Sequence, residues 1–224
     1  FWGGVYSAGL MKSTDGGATW FATGISYEQA NNEIIQRVVL NPDNPSIVLI
    51  ATRSGIYRSE DGGTGFTQVS SVHCYDFAFK VDDANTVYTG GDKDILISTD
   101  AGATWSVLGD NIMDAGRISI ETTPANPLVI YAFSEGGKFK KSIDAGASWT
   151  NATKPSTKTS FYGYYDTDFG VSDVDENALI AGGLEVVVSS NGASSWTKVS
   201  TWDGIGDDNY VHADGKCSKF LPGS

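Results

Sequence analysis

Ser13-Thr14-Asp15-Gly16-Gly17-Ala18-Thr19-Trp20 decides the fold, because the chain writes this stretch five times. The second copy runs from Ser59 through Asp61 and Gly63 to Phe66, and the third from Ser98 through Asp100 and Gly102 to Trp105. The fourth runs from Ser142 through Asp144 and Gly146 to Trp149. A worn fifth runs from Ser189 through Asn191 to Trp196. The copies start at 13, 59, 98, 142 and 189, so the spacings are 46, 39, 44 and 47. A period near 45 with short apolar segments on both sides is the signature of a propeller blade of four strands.

Each copy has the chemistry of a hairpin turn. The Ser and Asp side chains can bond to backbone N–H groups nearby, and Gly takes a positive φ without strain. The aromatic residue is expected beneath the turn, with Trp105 buried. The rest of a blade reads off the second repeat. Gln36–Leu40 is an innermost strand, Asn41-Pro42-Asp43-Asn44-Pro45 a turn, and Ser46–Thr52 a continuous apolar strand covered on both faces. Gly55–Arg58 and Phe66–Val69 complete it on either side of the repeated turn. No helix of useful length is predicted.

The ends set the blade count. Aligning the first two copies places Phe1–Tyr6 and Gly9–Lys12 on the second and third strands, so the first blade lacks its innermost one. Val211–Phe220, followed by Leu221-Pro222-Gly223, reads as one spare innermost strand and its turn. The expected architecture is all-β: one propeller of five four-stranded blades, at 211–224 with 1–25, 34–70, 75–108, 117–152 and 167–200. The spare strand either closes this ring or belongs to an arc of a larger propeller of roughly six to ten blades.

The pattern S-x-D-x-G-x-x-W resembles the Asp-box (BNR) repeat of sialidases, xyloglucanase-type glycoside hydrolases, sortilin-like receptors and secreted bacterial repeat proteins. The resemblance spans nearly the whole chain and implies the propeller fold and export from the cell. It implies no single activity, because one fold hosts many. Sialidases carry an Arg-Ile-Pro motif, an arginine triad and a Tyr–Glu pair, whereas the only arginines here are Arg37, Arg53, Arg58 and Arg117. Xyloglucanase-type enzymes have an Asp before the third strand of an early blade, in a segment like R-T-D-x-G-G. The matching segment is Ala51-Thr52-Arg53-Ser54-Gly55, without the Asp.

The balance of charge narrows the partners. Fifteen basic against 27 acidic residues give a net charge of −12, so nucleic acid is not an expected partner. No apolar run approaches the ~20 residues of a membrane span. No phosphate-binding glycine loop is present, and no cofactor is expected. His212, Asp214 and Cys217 match no strong metal-binding spacing, so no metal is expected either. Cys74 and Cys217 are the only cysteines, either free or paired.

Candidate binding residues lie where loops gather at the mouth of a propeller channel. Tyr162, Tyr164, Tyr165 and Asp166 form one loop rich in rings and carboxylates; Trp202, Asp207, Asp208 and Tyr210 form another. Rings stack on sugars and carboxylates accept from hydroxyls, which points to a glycan. Arg37, Asp76, Arg117 and Asp168 fall at the starts of successive innermost strands, either as compensating ion pairs or as a polar ligand site. Asp76 and Asp168 are the candidate carboxylate pair for glycoside hydrolysis. The expected function is a secreted module binding or scaffolding a glycan or an extracellular protein; the alternative is a glycoside hydrolase domain using those carboxylates.

Overall fold

The computed structural model describes residues 9–25, 34–109, 112–114, 116–155, 168–182, 185–201, 206–208, 219–221 and 223. They form strands and turns only. Blade I holds β1 (Met11–Lys12) and β2 (Phe21–Ala22). Blade II holds β3 (Ile35–Leu40), β4 (Val48–Thr52), β5 (Gly55–Ser59) and β6 (Thr67–Ser70). Blade III holds β7 (Cys74–Lys80), β8 (Asp83–Gly91), β9 (Asp94–Ser98) and β10 (Ser106–Gly109). Blade IV holds β11 (Ile118–Thr122), β12 (Ile130–Ser134), β13 (Phe139–Ser142) and β14 (Thr150–Ala152). Blade V holds β15 (Asp168–Val171), β16 (Leu179–Gly182), β17 (Val187–Ser189) and β18 (Thr197–Lys198). Blades II to V are four-stranded antiparallel meanders in sequence order, and β1 pairs with β2.

The second strand of a full blade is covered on both faces, which is why its sequence is apolar without alternation. Every residue of Val48–Thr52 and of Ile130–Ser134 is buried. Three apolar clusters fill the spaces between neighbouring blades. Leu49, Ala51 and Ile56 of blade II meet Phe77 and Val87 of blade III. Tyr88 and Ile95 of blade III meet Ile118, Ile120 and Ile130 of blade IV. Tyr131, Phe133 and Phe139 of blade IV meet Phe169, Leu179 and Val187 of blade V.

The repeated turn has the same bonding five times. The Ser Oγ donates to the first carboxylate or amide oxygen two residues on, at 2.7–3.0 Å. It also accepts the N–H four residues on, at 2.8–3.0 Å. That Asp or Asn oxygen accepts the N–H of the seventh residue, at 2.8–2.9 Å. The fourth and fifth residues are left-handed throughout, from Gly16 (φ 72°) and Gly17 (φ 93°) to Gly192 (φ 66°) and Ala193 (φ 62°). Ala101 and Ala145 hold the fourth place at φ 55° and 56°.

The turn is also a joint between blades. Lys12 Nζ of blade I donates to Gly62 O in the turn of blade II at 2.6 Å. Arg58 Nε of blade II donates to Ala101 O in the turn of blade III at 3.0 Å, and Tyr88 of blade III donates to Ala145 O in that of blade IV at 3.3 Å. A Cβ at Gly102 would lie 2.5 Å from Leu49 of blade II, and one at Gly146 2.2 Å from Leu108 of blade III. Glycine is required there by the neighbouring blade as well as by φ.

Two expectations need correction. Trp105 is half-buried rather than buried; it packs on the cluster between blades II and III, against Phe77 at 5.9 Å between ring centres. Among the described residues the sheets are not closed into a five-blade ring: β1 and β2 pair only with each other. Residues 1–8 and 211–218, which the closure was to join, lie outside the described residues. Of the C-terminal segment, Lys219 pairs with Glu121 on β11, and Gly223 N donates to Asp173 at 2.7 Å. Phe220 shares a cleft with Leu179 and Val188 of blade V.

Candidate functional site at the channel mouth

The innermost strands β3, β7, β11 and β15 lie side by side, which gathers their N-terminal ends and the adjoining loops. The innermost-strand residues singled out from the sequence meet there in part. Arg37 Nε sits 3.2 Å from Asp76 Oδ1. The same oxygen accepts the Phe77 N–H at 3.0 Å, and Oδ2 accepts the Ile120 N–H of β11 at 3.3 Å. Asp76 therefore ties blades II, III and IV together. Burial pushes its carboxyl above the usual carboxylate range, while Arg37 and the two amides pull the other way.

Arg117 makes no ion pair among the described residues. Its Nε is buried without a hydrogen bond, and its backbone exchanges two bonds with Glu135: Arg117 N donates to Oε2 at 3.2 Å, and Glu135 N donates to Arg117 O at 2.8 Å. Of Asp168 the backbone alone is described; it opens β15 opposite Gly182, with β11 lying between β15 and β7. Asp207 and Asp208 are exposed. Tyr162, Tyr164, Tyr165, Asp166, Trp202 and Tyr210 lie outside the described residues, as do His212, Asp214 and Cys217.

Further groups at this end were not picked out from the sequence. The His73 ring and the buried Tyr75 ring meet at a tilt of 39°, with centres 4.4 Å apart, next to Asp76 in the chain. Glu135 stands in the β12–β13 turn, Lys138 pairs with Asp114 at 3.2 Å, and buried Glu185 receives Lys198 at 2.7 Å. Glu135, Lys138 and Glu185 come from the turns between second and third strands, and His73 and Asp114 from the chain just before an innermost strand. Their place in the repeat is the signal that marks them. Behind them, burial pushes the free Cys74 thiol up to about 12, so it stays protonated at neutral pH. The mouth thus gathers both signs of charge beside the His73 and Tyr75 rings. Among the described residues no group of His, Cys, Asp or Glu is placed to hold a metal, and no helix is long and apolar enough to cross a membrane.

Two relatives align along most of the chain. The xyloglucanase of Hypocrea jecorina (strain QM6a) is 20% identical over 91% of this chain and 30% of its own length. The xyloglucanase of Paenibacillus sp is 25% identical over 87% of this chain and 24% of its own length. The crystal structure of an ancestral GH74 enzyme superposes with a TM-score of 0.72 at 18% identity, over 91% of this chain and 29% of that one. The chain is a β-propeller by this likeness, and it spans about 30% or less of the relatives it matches. No family model matches the chain.

Proposed function

We propose that this chain is a stretch of a glycoside hydrolase-like propeller acting on polysaccharide outside the cell, with xyloglucan as its substrate class, and that its strand ends form part of the substrate-binding mouth. The observation that carries this reading is the alignment of 91% and 87% of the chain with two xyloglucanases. It favours the hydrolase alternative over a purely scaffolding propeller. In this reading Arg37 and His73, together with the candidate residues Tyr162, Tyr164, Tyr165, Trp202 and Tyr210, form a wall for the glycan, and the buried Tyr75 ring backs His73. Asp76 positions that wall, because both its oxygens already receive donors.

One observation favours a binding role for this stretch without the hydrolytic step. The β4–β5 turn, where the xyloglucanase-type pattern has its Asp, carries Arg53 and Ser54, and Thr52 closes it by donating to Gly55 O at 2.9 Å. In this binding reading the carboxylates that break the bond come from outside this chain, whereas in the hydrolytic one Asp168 supplies one of them. Affinity electrophoresis of the chain in gels containing xyloglucan tests binding: retarded migration is expected, and unchanged migration sinks the proposal. Reducing-sugar release separates the two readings. Release that survives Asp76→Asn and stops with Asp168→Asn assigns the chemistry to β15, and no release with retained binding leaves a binding wall.

A further inference from the structure

The turn of blade II departs from its siblings at two places, and both departures open the same space. In blades I, III and IV the seventh residue is Thr19, Thr104 or Ser148. Its hydroxyl donates to the second oxygen of the turn's Asp, at 2.6, 2.6 and 2.5 Å. In blade V the Asn191 amide and the Ser195 hydroxyl make the matching contact at 2.8 Å. Blade II has Gly65 there and Phe66 in place of Trp. Among the described residues Asp61 Oδ2 receives only the Gly65 N–H, at 3.1 Å, and shares it with Oδ1 at 2.9 Å. A cleft of about 670 Å³ opens at this point, lined by Arg58, Glu60, Asp61, Phe66, Thr67 and Val69. The equivalent cleft on blade V, where Ser195 and Phe220 line the space, is about 230 Å³.

We propose that the blade II cleft is a sugar-binding site on the outer rim, in which a pyranose ring lies on Phe66 and one of its hydroxyls donates to Asp61 Oδ2. The ligand hydroxyl takes the place that Thr and Ser hydroxyls hold in the sibling turns. A hydroxyl bond to an ionised carboxylate is among the stronger neutral-to-charged contacts, and the volume suits a small-molecule site. Arg58 is held nearly buried by Ala101 O and Glu60, and its guanidinium has further N–H groups for a sugar oxygen. The hairpin joining β5 and β6 is at the far end of the blade from the mouth. The rim site therefore goes beyond the hydrolase-like reading and does not rest on it.

The test is an NMR titration of the ¹⁵N-labelled chain with cellotetraose, xyloglucan heptasaccharide and a high-mannose glycan, which separates plant-polysaccharide from glycoprotein sources. At least one should shift the Gly65 and Phe66 amides saturably. Gly65→Thr restores the missing hydroxyl; a Cβ there meets only Asp61 Oδ2 at 3.3 Å, so the variant is expected to fold with an equal or higher melting temperature. Binding should weaken at least tenfold in Gly65→Thr and in Phe66→Ala. Unshifted Gly65 and Phe66 amides with all three sugars, or unchanged affinity in Gly65→Thr, overturns the site. Shifts confined to Tyr75, Asp76 and their neighbours overturn the rim site while supporting the mouth.

Discussion

Blades I and III carry the same turn and bury it differently. Ser13 and Asp15 make the bonds that Ser98 and Asp100 make, and each Trp indole N–H reaches the carbonyl of its own turn, Gly17 at 3.0 Å and Gly102 at 3.2 Å. Yet Trp20 is 59% exposed, whereas Trp105 is half-buried against the cluster between blades II and III. Trp149 and Trp196 repeat the second arrangement, against the clusters between blades III and IV and blades IV and V. The turn itself is local, made by residues within eight positions. The hydrophobic return on its aromatic residue is non-local and depends on the blade before it.

The largest effect that could break this comparison is aromatic truncation. Trp105→Ala should cost about 2–3 kcal/mol, below the range for a fully buried ring because Trp105 keeps one side in water. Trp20→Ala should cost under about 0.5 kcal/mol. Chemical denaturation of both variants measures the pair. Equal losses would mean that the ring stabilises its own turn rather than the joint between blades.

Arg58→Met comes next. It keeps the packed stem and removes the donor to Ala101 O in the following blade. A charge-assisted bond from a side chain only 11% exposed should be worth about 1–2 kcal/mol. A loss confined to blade II, seen as faster amide exchange there with blade III unchanged, would show that the contact does not couple the blades.

This division also explains what could be read from residues alone. The period, the turn and the run Val48–Thr52 were legible because each is written in neighbouring residues. The connection between first and second strands was legible too. Asn41 accepts the N–H groups of Asp43 and Asn44 at 3.0 and 2.9 Å, and Ser172 those of Val174 and Asp175, both at 3.2 Å. The partial exposure of Trp105 was not legible, because it depends on how two blades meet. The mouth was half legible. Arg37 and Asp76 were paired by their matching places in successive blades, but the Ile120 amide that completes Asp76 belongs to a third blade and has no side-chain signature. Glu135 was missed because it acts on a backbone, at Arg117, rather than on a charged partner.

Acid sharpens the comparison of turns. Hydrogen bonds from Thr19 and then Ser13 hold Asp15 down to about 2 from the usual 3.8. Slight burial pushes Asp100 up, but bonds from Thr104 and Ser98 outweigh it and leave Asp100 at about 2 as well. Asp61 and Asp144 are lowered too, chiefly by bonds from Gly65 and Ser148. A carboxylate with a depressed folded pKa contributes stability above its unfolded value and loses it as pH falls through the folded one. The contribution of these turns should therefore be complete above about pH 3.8 and should fade toward about pH 2. Asn191 makes the same turn without a charge. Asp100→Asn should thus lower the melting temperature less than wild type does between pH 5 and pH 2, and parallel acid limbs would contradict the assignment.

The smallest effect concerns the left-handed residues. Gly16, Gly62 and Gly192 fill the fourth place of their turns at φ 72°, 70° and 66°, while Ala145 fills it at φ 56°. An L-residue there costs roughly 1–2 kcal/mol, because Cβ crowds the carbonyl oxygen that follows. Against this, glycine adds about 0.4–1 kcal/mol of unfolded-chain entropy, and the methyl of a half-buried alanine contributes a little packing. The contacts that place Ala145 are made by its backbone: its N–H donates to Leu128 O at 2.9 Å and its carbonyl accepts from Tyr88 at 3.3 Å, so substitution leaves both intact. Ala145→Gly should therefore raise stability by a few tenths of a kcal/mol, read as a melting temperature one or two degrees higher. Ala101→Gly should gain less, since Ala101 is only 3% exposed and its methyl is packed. A loss above about 1 kcal/mol at Ala145 would mean that the methyl, and not the turn's backbone, holds blade III to blade IV at this joint.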